Sequence, residues 1–257
     1  MKRNLLFIAL FLLAAISFNN AQPVDALINE GKKLLYKADV EFDFTSYIKA
    51  RGMFERALAS DKEDYFANYF LAYTDYKLAV YYMQKRDKQQ FMNYVDSATE
   101  NLKSLINDND SDAEAISLLG AVYGIQVSMD PSSGPSKGSQ NVALTYEAIK
   151  LSPNNPRVQL QRGISKFNTP EFFGGSKEEA LNYFKESISI FESADENDGK
   201  ITWGYLDALA WLGKTYTQLG DYESAISTYK KALQNEPEFS WVKNSLLPAV
   251  EEKLTSQ

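Results

Sequence analysis

The sequence predicts an all-α, right-handed helical-repeat solenoid of about five helix pairs closed by a C-terminal capping helix. Three observations predict it. Small and apolar residues recur at helical spacing along most of the chain. One such pattern returns with a period of about 34 residues, the length of a helix–turn–helix unit. Alternating apolar and polar runs bounded by hairpin turns, which would mark strands, do not occur.

In chain order, the first segment is an address. Lys2 and Arg3 precede an apolar run from Leu5 to Ile16, and a polar stretch ends in Asn19-Asn20-Ala21-Gln22. A basic start, a short apolar core and a small residue at the exit describe a secretory signal. The expected domains are a signal peptide over 1–21 and a solenoid over 22–257, exported to a bacterial periplasm or the extracellular space. The apolar run is shorter than the roughly 20 residues needed to cross a bilayer, so no integral membrane segment is expected after its removal.

The units follow, at about 23–62, 65–110, 113–155, 156–192 and 206–239. The first shows Ala50, Phe54 and Ala57, behind an opening helix near Val24–Lys37 whose register the sequence leaves open. The second carries Leu71-Ala72, Ala98, Leu102, Leu105 and Asp110. The third carries Leu119-Gly120, Tyr123, Ala148 and Pro153. The fourth has Gly163, Ala180, Phe184 and Ser187 around an insertion that reads Phe172-Phe173-Gly174-Gly175. The fifth is the cleanest, with Leu209, Leu212, Gly213, Tyr216, Ala225, Tyr229, Ala232 and Pro237. Its small residues let two antiparallel helices approach closely, and its tyrosines fill the space between pairs. Residues 240–254, with Trp241, Val242, Leu246, Leu247, Val250 and Leu254, read as the cap that a solenoid needs over its last apolar face. Pro248 is expected to end or kink that helix.

The fifth unit resembles the tetratricopeptide repeat at every signature position, with Leu209 where Trp is usual. Through its long second unit and the insertions of its third and fourth units, the chain also resembles exported tetratricopeptide proteins of the Bacteroidetes type, which mostly lack an assigned activity. More distantly it is similar to the helical-repeat periplasmic subunit of some TRAP-type transporters. The resemblance implies a scaffold that binds a protein or peptide partner in its concave groove, or a small-ligand accessory subunit of a transport system.

Composition narrows the chemistry. The 257 residues hold 27 Lys+Arg and 34 Asp+Glu, with no His and no Cys. Serine–histidine and thiolate catalysis, cysteine–zinc and iron–sulfur sites and disulfides are therefore excluded within this chain. A net charge of −7 argues against a nucleic-acid partner. No cofactor or metal site is expected. Asp108, Asp110 and Asp112 alternate like the start of a calcium loop, but Ala113 and Leu119 stand where Gly and Glu are required. An enzyme using paired carboxylates stays chemically open, without a recognisable pair.

Two groups of residues are candidates for partner contact. Phe66, Tyr69, Tyr73 and Tyr76 share one helix face. The family resemblance places them on the groove wall, as it does Glu114, Arg157, Phe167, Asp207 and Lys214 in later units. The same stripe also suits ordinary packing of long helices. Phe172 and Phe173 suit a lid over the groove, or an aromatic anchor for the inserted turn, with Ser176 capping the next helix.

Overall fold

Eleven α-helices and no strand make up the regular structure of the computed structural model, among its described residues 22–193 and 201–256. The expected signal peptide, 1–21, lies outside them. The helices form five antiparallel pairs. They are α1 (Val24–Glu41) with α2 (Phe44–Ser60), α3 (Tyr65–Lys85) with α4 (Lys88–Asp108), α5 (Ala113–Met129) with α6 (Ser139–Leu151), α7 (Pro156–Asn168) with α8 (Lys177–Ser193), and α9 (Tyr205–Leu219) with α10 (Tyr222–Asn235). Each pair stacks on the next in sequence order, and α11 (Leu247–Thr255) closes the last. None of the described helices is long and apolar enough to cross a membrane.

One contact recurs and explains the stacking. A Cβ built on Gly213 would lie 2.4 Å from the Tyr229 ring, one on Gly163 2.6 Å from Phe184, and one on Gly31 2.5 Å from Phe54. In these three pairs the first helix presents bare backbone to an aromatic ring of the second, and in the third pair Gly120 faces Thr145 instead. Gly31 thereby registers the opening helix that the sequence left open. Gly213→Val should therefore cost about 1–3 kcal/mol, because a branched side chain must displace the buried Tyr229 ring. Urea unfolding measures this, and a loss below about 0.5 kcal/mol would mean that the ring yields freely.

Acidic and amide side chains start the helices. Asp43, Asp64, Asp87, Asp112, Asn155 and Asp221 each accept a backbone N–H in the first turn that follows. Asp112 thus spends its carboxylate on the Ala115 N–H at 3.1 Å, which accounts for the end of the aspartate run. Between the first and second pairs, Arg51 donates to the fully buried Asp75 at 2.7 Å, and the Ser97 hydroxyl donates to it at 2.6 Å. Burial pushes the Asp75 carboxyl up despite the guanidinium beside it.

At the C-terminus, Pro248 does not end the helix. The run from Ser240 to Thr255 stays helical, but widens into a π-turn over Val242–Leu246 just before the proline. The wider turn leaves room for a ring that would clash with an α-helical carbonyl. The two ends of the solenoid also meet: the Tyr36 hydroxyl of α1 donates to Glu236, just after α10, at 2.7 Å.

Candidate functional site

Helix α3 carries the aromatic stripe. Tyr69 and Tyr73 are fully buried, whereas Phe66 and Tyr76 keep part of their surface. What covers the inner two comes from the segment between α8 and α9. Trp203 stacks on Tyr73 with ring centroids 4.3 Å apart and 20° between planes, and its indole N–H donates to the Tyr69 hydroxyl at 3.3 Å. The four rings therefore do not form a free wall in this arrangement, since the chain places its own tryptophan there. Burial raises both tyrosines far above their ordinary range, so their hydroxyls act as donors.

Two charge clusters hold this centre. In the first, the Tyr69 hydroxyl donates to Glu114 at 3.0 Å, Asn155 donates to the same carboxylate at 2.7 Å, and Arg157 donates through Nε and Nη2, both at 2.7 Å. Arg157 also holds the Ile201 carbonyl at 3.1 Å, which pins the backbone two residues before Trp203. Burial works against the Arg157 charge, but Glu114 outweighs it and the guanidinium is held above its ordinary value.

In the second cluster, Lys77 lies 3.0 Å from Asp39 and 3.6 Å from Asp207. Asp39 also accepts the hydroxyls of Tyr47, at 2.7 Å, and Tyr73, at 3.1 Å. Burial lowers the Lys77 ammonium, and the two carboxylates more than reverse this. Asp207 is raised by burial, with Lys77 acting against the rise. Tyr76, beside this cluster, is pushed up to about 12 by burial.

A cavity of about 240 Å³ lies between α1 and α9, where the solenoid's ends come together. Leu35, Phe70, Trp203 and Phe239 line its apolar part, and Asp39 and Asp207 its polar part.

Residues 206–239, the last helix pair, match the family described as the tetratricopeptide repeat. That pair is a tetratricopeptide repeat by sequence, and the chain as a whole has the tetratricopeptide-like solenoid fold. Solved structures that share its fold include two with TM-scores above 0.6. One is a thermophilic tetratricopeptide protein, TTC0263 of Thermus thermophilus, 20% identical with a TM-score of 0.64, covering 88% of this chain and 98% of its own. The other is the HusA haemophore of Porphyromonas gingivalis, 20% identical with a TM-score of 0.63, covering 78% of this chain and 96% of its own. No curated protein sequence matches the chain. Tetratricopeptide solenoids serve in general as protein-interaction scaffolds, and commonly take protein or peptide partners.

The second candidate group sits elsewhere on this repeat protein. Phe172 and Phe173 lie on the α7–α8 connection, 92% and 70% exposed, and their rings touch edge to face at 5.1 Å. They do not anchor the turn, as an inserted aromatic pair would be expected to do. The turn is held by its own polar groups. Gly174 takes φ +85°, and a Cβ on Gly175 would fall 1.8 Å from the Thr169 carbonyl oxygen. The Ser176 N–H donates to the Lys166 carbonyl at 3.1 Å, the Lys166 ammonium donates to the Gly174 carbonyl at 3.0 Å, and the Ser176 hydroxyl caps α8 by accepting the Glu179 N–H. The base is fixed and the rings project.

Sequence reasoning missed Trp203, Asp39 and Lys77. Trp203 follows an insertion with no repeat signature, and Asp39 and Lys77 meet Asp207 only through closure of the superhelix. A Lys within the tyrosine-rich helix was the one available signal. Glu114 and Arg157, each named as a groove position, turn out to bond to one another.

Proposed function

We propose that this protein is a non-catalytic exported scaffold that engages a protein partner, with Phe172 and Phe173 as its anchor. One observation carries the reading: two large aromatic rings stand in solvent on a turn whose backbone is already fixed. Aromatic side chains dominate the energy of protein interfaces, and a turn ordered beforehand loses little further entropy on binding. Export is supported by the residue pattern of 1–21. An open peptide groove across α3 requires Trp203 to leave, because Tyr69 and Tyr73 have no free face while it stays.

The carboxylate-enzyme alternative finds Asp39 and Asp207 near one another, but the Lys77 ammonium sits between them. A reacting bond and its water would need that space. A second reading, a small-ligand protein, is favoured by the cavity between the ends of the solenoid. Its 240 Å³ falls below the usual range for drug-sized ligands, so a ligand smaller than a haem is the one it suits.

The test places a photo-crosslinking amino acid at position 172 in the full chain, within its own cell envelope. One dominant crosslinked protein is expected. The variant Phe172→Ser with Phe173→Ser should lose that partner while its stability stays within about 0.5 kcal/mol, since both rings are exposed. Undiminished capture by the double variant would remove the anchor from the account.

A further inference from the structure

We propose that the cavity between α1 and α9 binds a small organic cation, a primary ammonium carried on a short apolar body. The proposal rests on the small-ligand reading of the cavity and is independent of Phe172 and Phe173.

Charge comes first. Asp39 and Asp207 share the single ammonium of Lys77, and the sharing is unequal. Asp39 takes Lys77 at 3.0 Å and two tyrosine hydroxyls besides. Asp207 has Lys77 at 3.6 Å, a longer contact than the one to Asp39, and no other ion pair among the described residues. Its side chain keeps 21% of its surface, and it lines the cavity. A carboxylate so shielded from bulk water and so weakly matched favours a further cation.

The walls give the rest of the ligand. Leu35, Phe70, Trp203 and Phe239 are nearly fully buried, yet each contributes to the lining, so the body that fits is apolar. Aromatic faces also attract a cation. The protein uses this already: Lys32, on the α1 side of the same cavity, places its ammonium 5.6 Å from the centre of the Phe70 ring. Lys32 makes the cavity discriminating in a testable way. A bound ammonium must tolerate it, whereas a bound carboxylate would be drawn to it.

The experiment titrates the purified protein with phenethylammonium by calorimetry, alongside 2-phenylethanol and 3-phenylpropionate as neutral and anionic counterparts at matched ionic strength. The ammonium should bind saturably at one site, at least about tenfold more tightly than the alcohol, with no binding of the carboxylate. Asp207→Asn should weaken the ammonium by about tenfold or more, and Lys32→Met should tighten it several-fold. Equal affinity for alcohol and ammonium would overturn the cation assignment and leave the small-ligand reading standing. Preferred binding of the carboxylate would overturn it too, in favour of an anion held by Lys32. Absence of saturation by all three compounds up to about 10 mM would remove both readings. The comparison of the three probes on the unaltered protein keeps the outcome decisive even if Asp207→Asn folds poorly.

Discussion

Arg157→Ala is expected to destabilise the protein by about 3–5 kcal/mol, the largest loss from any single charge removal here. The reason lies in what stays behind. Glu114 and Arg157 have side chains only 11% and 12% exposed, so the ion pair is made where water cannot replace either member. With the guanidinium gone, Glu114 keeps Asn155 and Tyr69 as donors but has no counter-charge. The Ile201 carbonyl loses its donor in the same step, and the Trp203 segment loses its nearest backbone tether. Arg157→Lys restores charge without the two-pronged geometry, and should recover only part of the loss. Glu114→Gln combined with Arg157→Met removes both charges and should be less damaging than Arg157→Ala alone. Urea unfolding followed by circular dichroism measures all three. A cost below about 1 kcal/mol for Arg157→Ala would show that water reaches Glu114 and that the pair behaves as a surface one.

The helix pairs were legible because their contacts are local in sequence and made by residues with no substitute. Only glycine fits where Tyr229 presses on α9, or where Phe184 presses on α7, so spacing of small and aromatic residues reports packing directly. The first pair was harder to read, because Gly31 and Phe54 are separated by more chain than the corresponding residues of the last pair. Trp203 was not legible at all. Nothing in its neighbours distinguishes a loop tryptophan from one that travels to a different repeat. Asp207 was legible as a groove position, but not its meeting with Asp39 and Lys77, since the three lie in different helix pairs and come together only after the superhelix has turned. Phe172 and Phe173 were visible as residues, but their exposure was not. It depends on Lys166 and Ser176 holding the turn by backbone bonds, which leaves the rings with nothing to pack on.

Trp203→Ala should also cost about 3–5 kcal/mol, and its effect on partner capture separates two ways of using the scaffold. The indole is 8% exposed and is stacked on Tyr73, so its removal leaves a cavity against α3 and strips the Tyr69 hydroxyl of a donor. Trp203→Phe retains one stacked ring but gives up the rest of the indole with its N–H, and should cost about 1–2 kcal/mol for the lost hydrogen bond and the small void together. The alanine variant uncovers Tyr69 and Tyr73 on the inner face while leaving Phe172 and Phe173 untouched in solvent. If the partner docks on the projecting pair alone, capture by folded Trp203→Ala protein should match that of the unaltered protein. If the partner instead inserts an aromatic residue where Trp203 now sits, capture should rise, because the competing side chain has gone. Below the midpoint of its unfolding curve, a Trp203→Ala protein that captures more partner would move the docking site from the turn to the inner face. Unchanged capture, together with loss in the Phe172→Ser and Phe173→Ser double variant, would assign Trp203 to the architecture and the projecting rings to the partner.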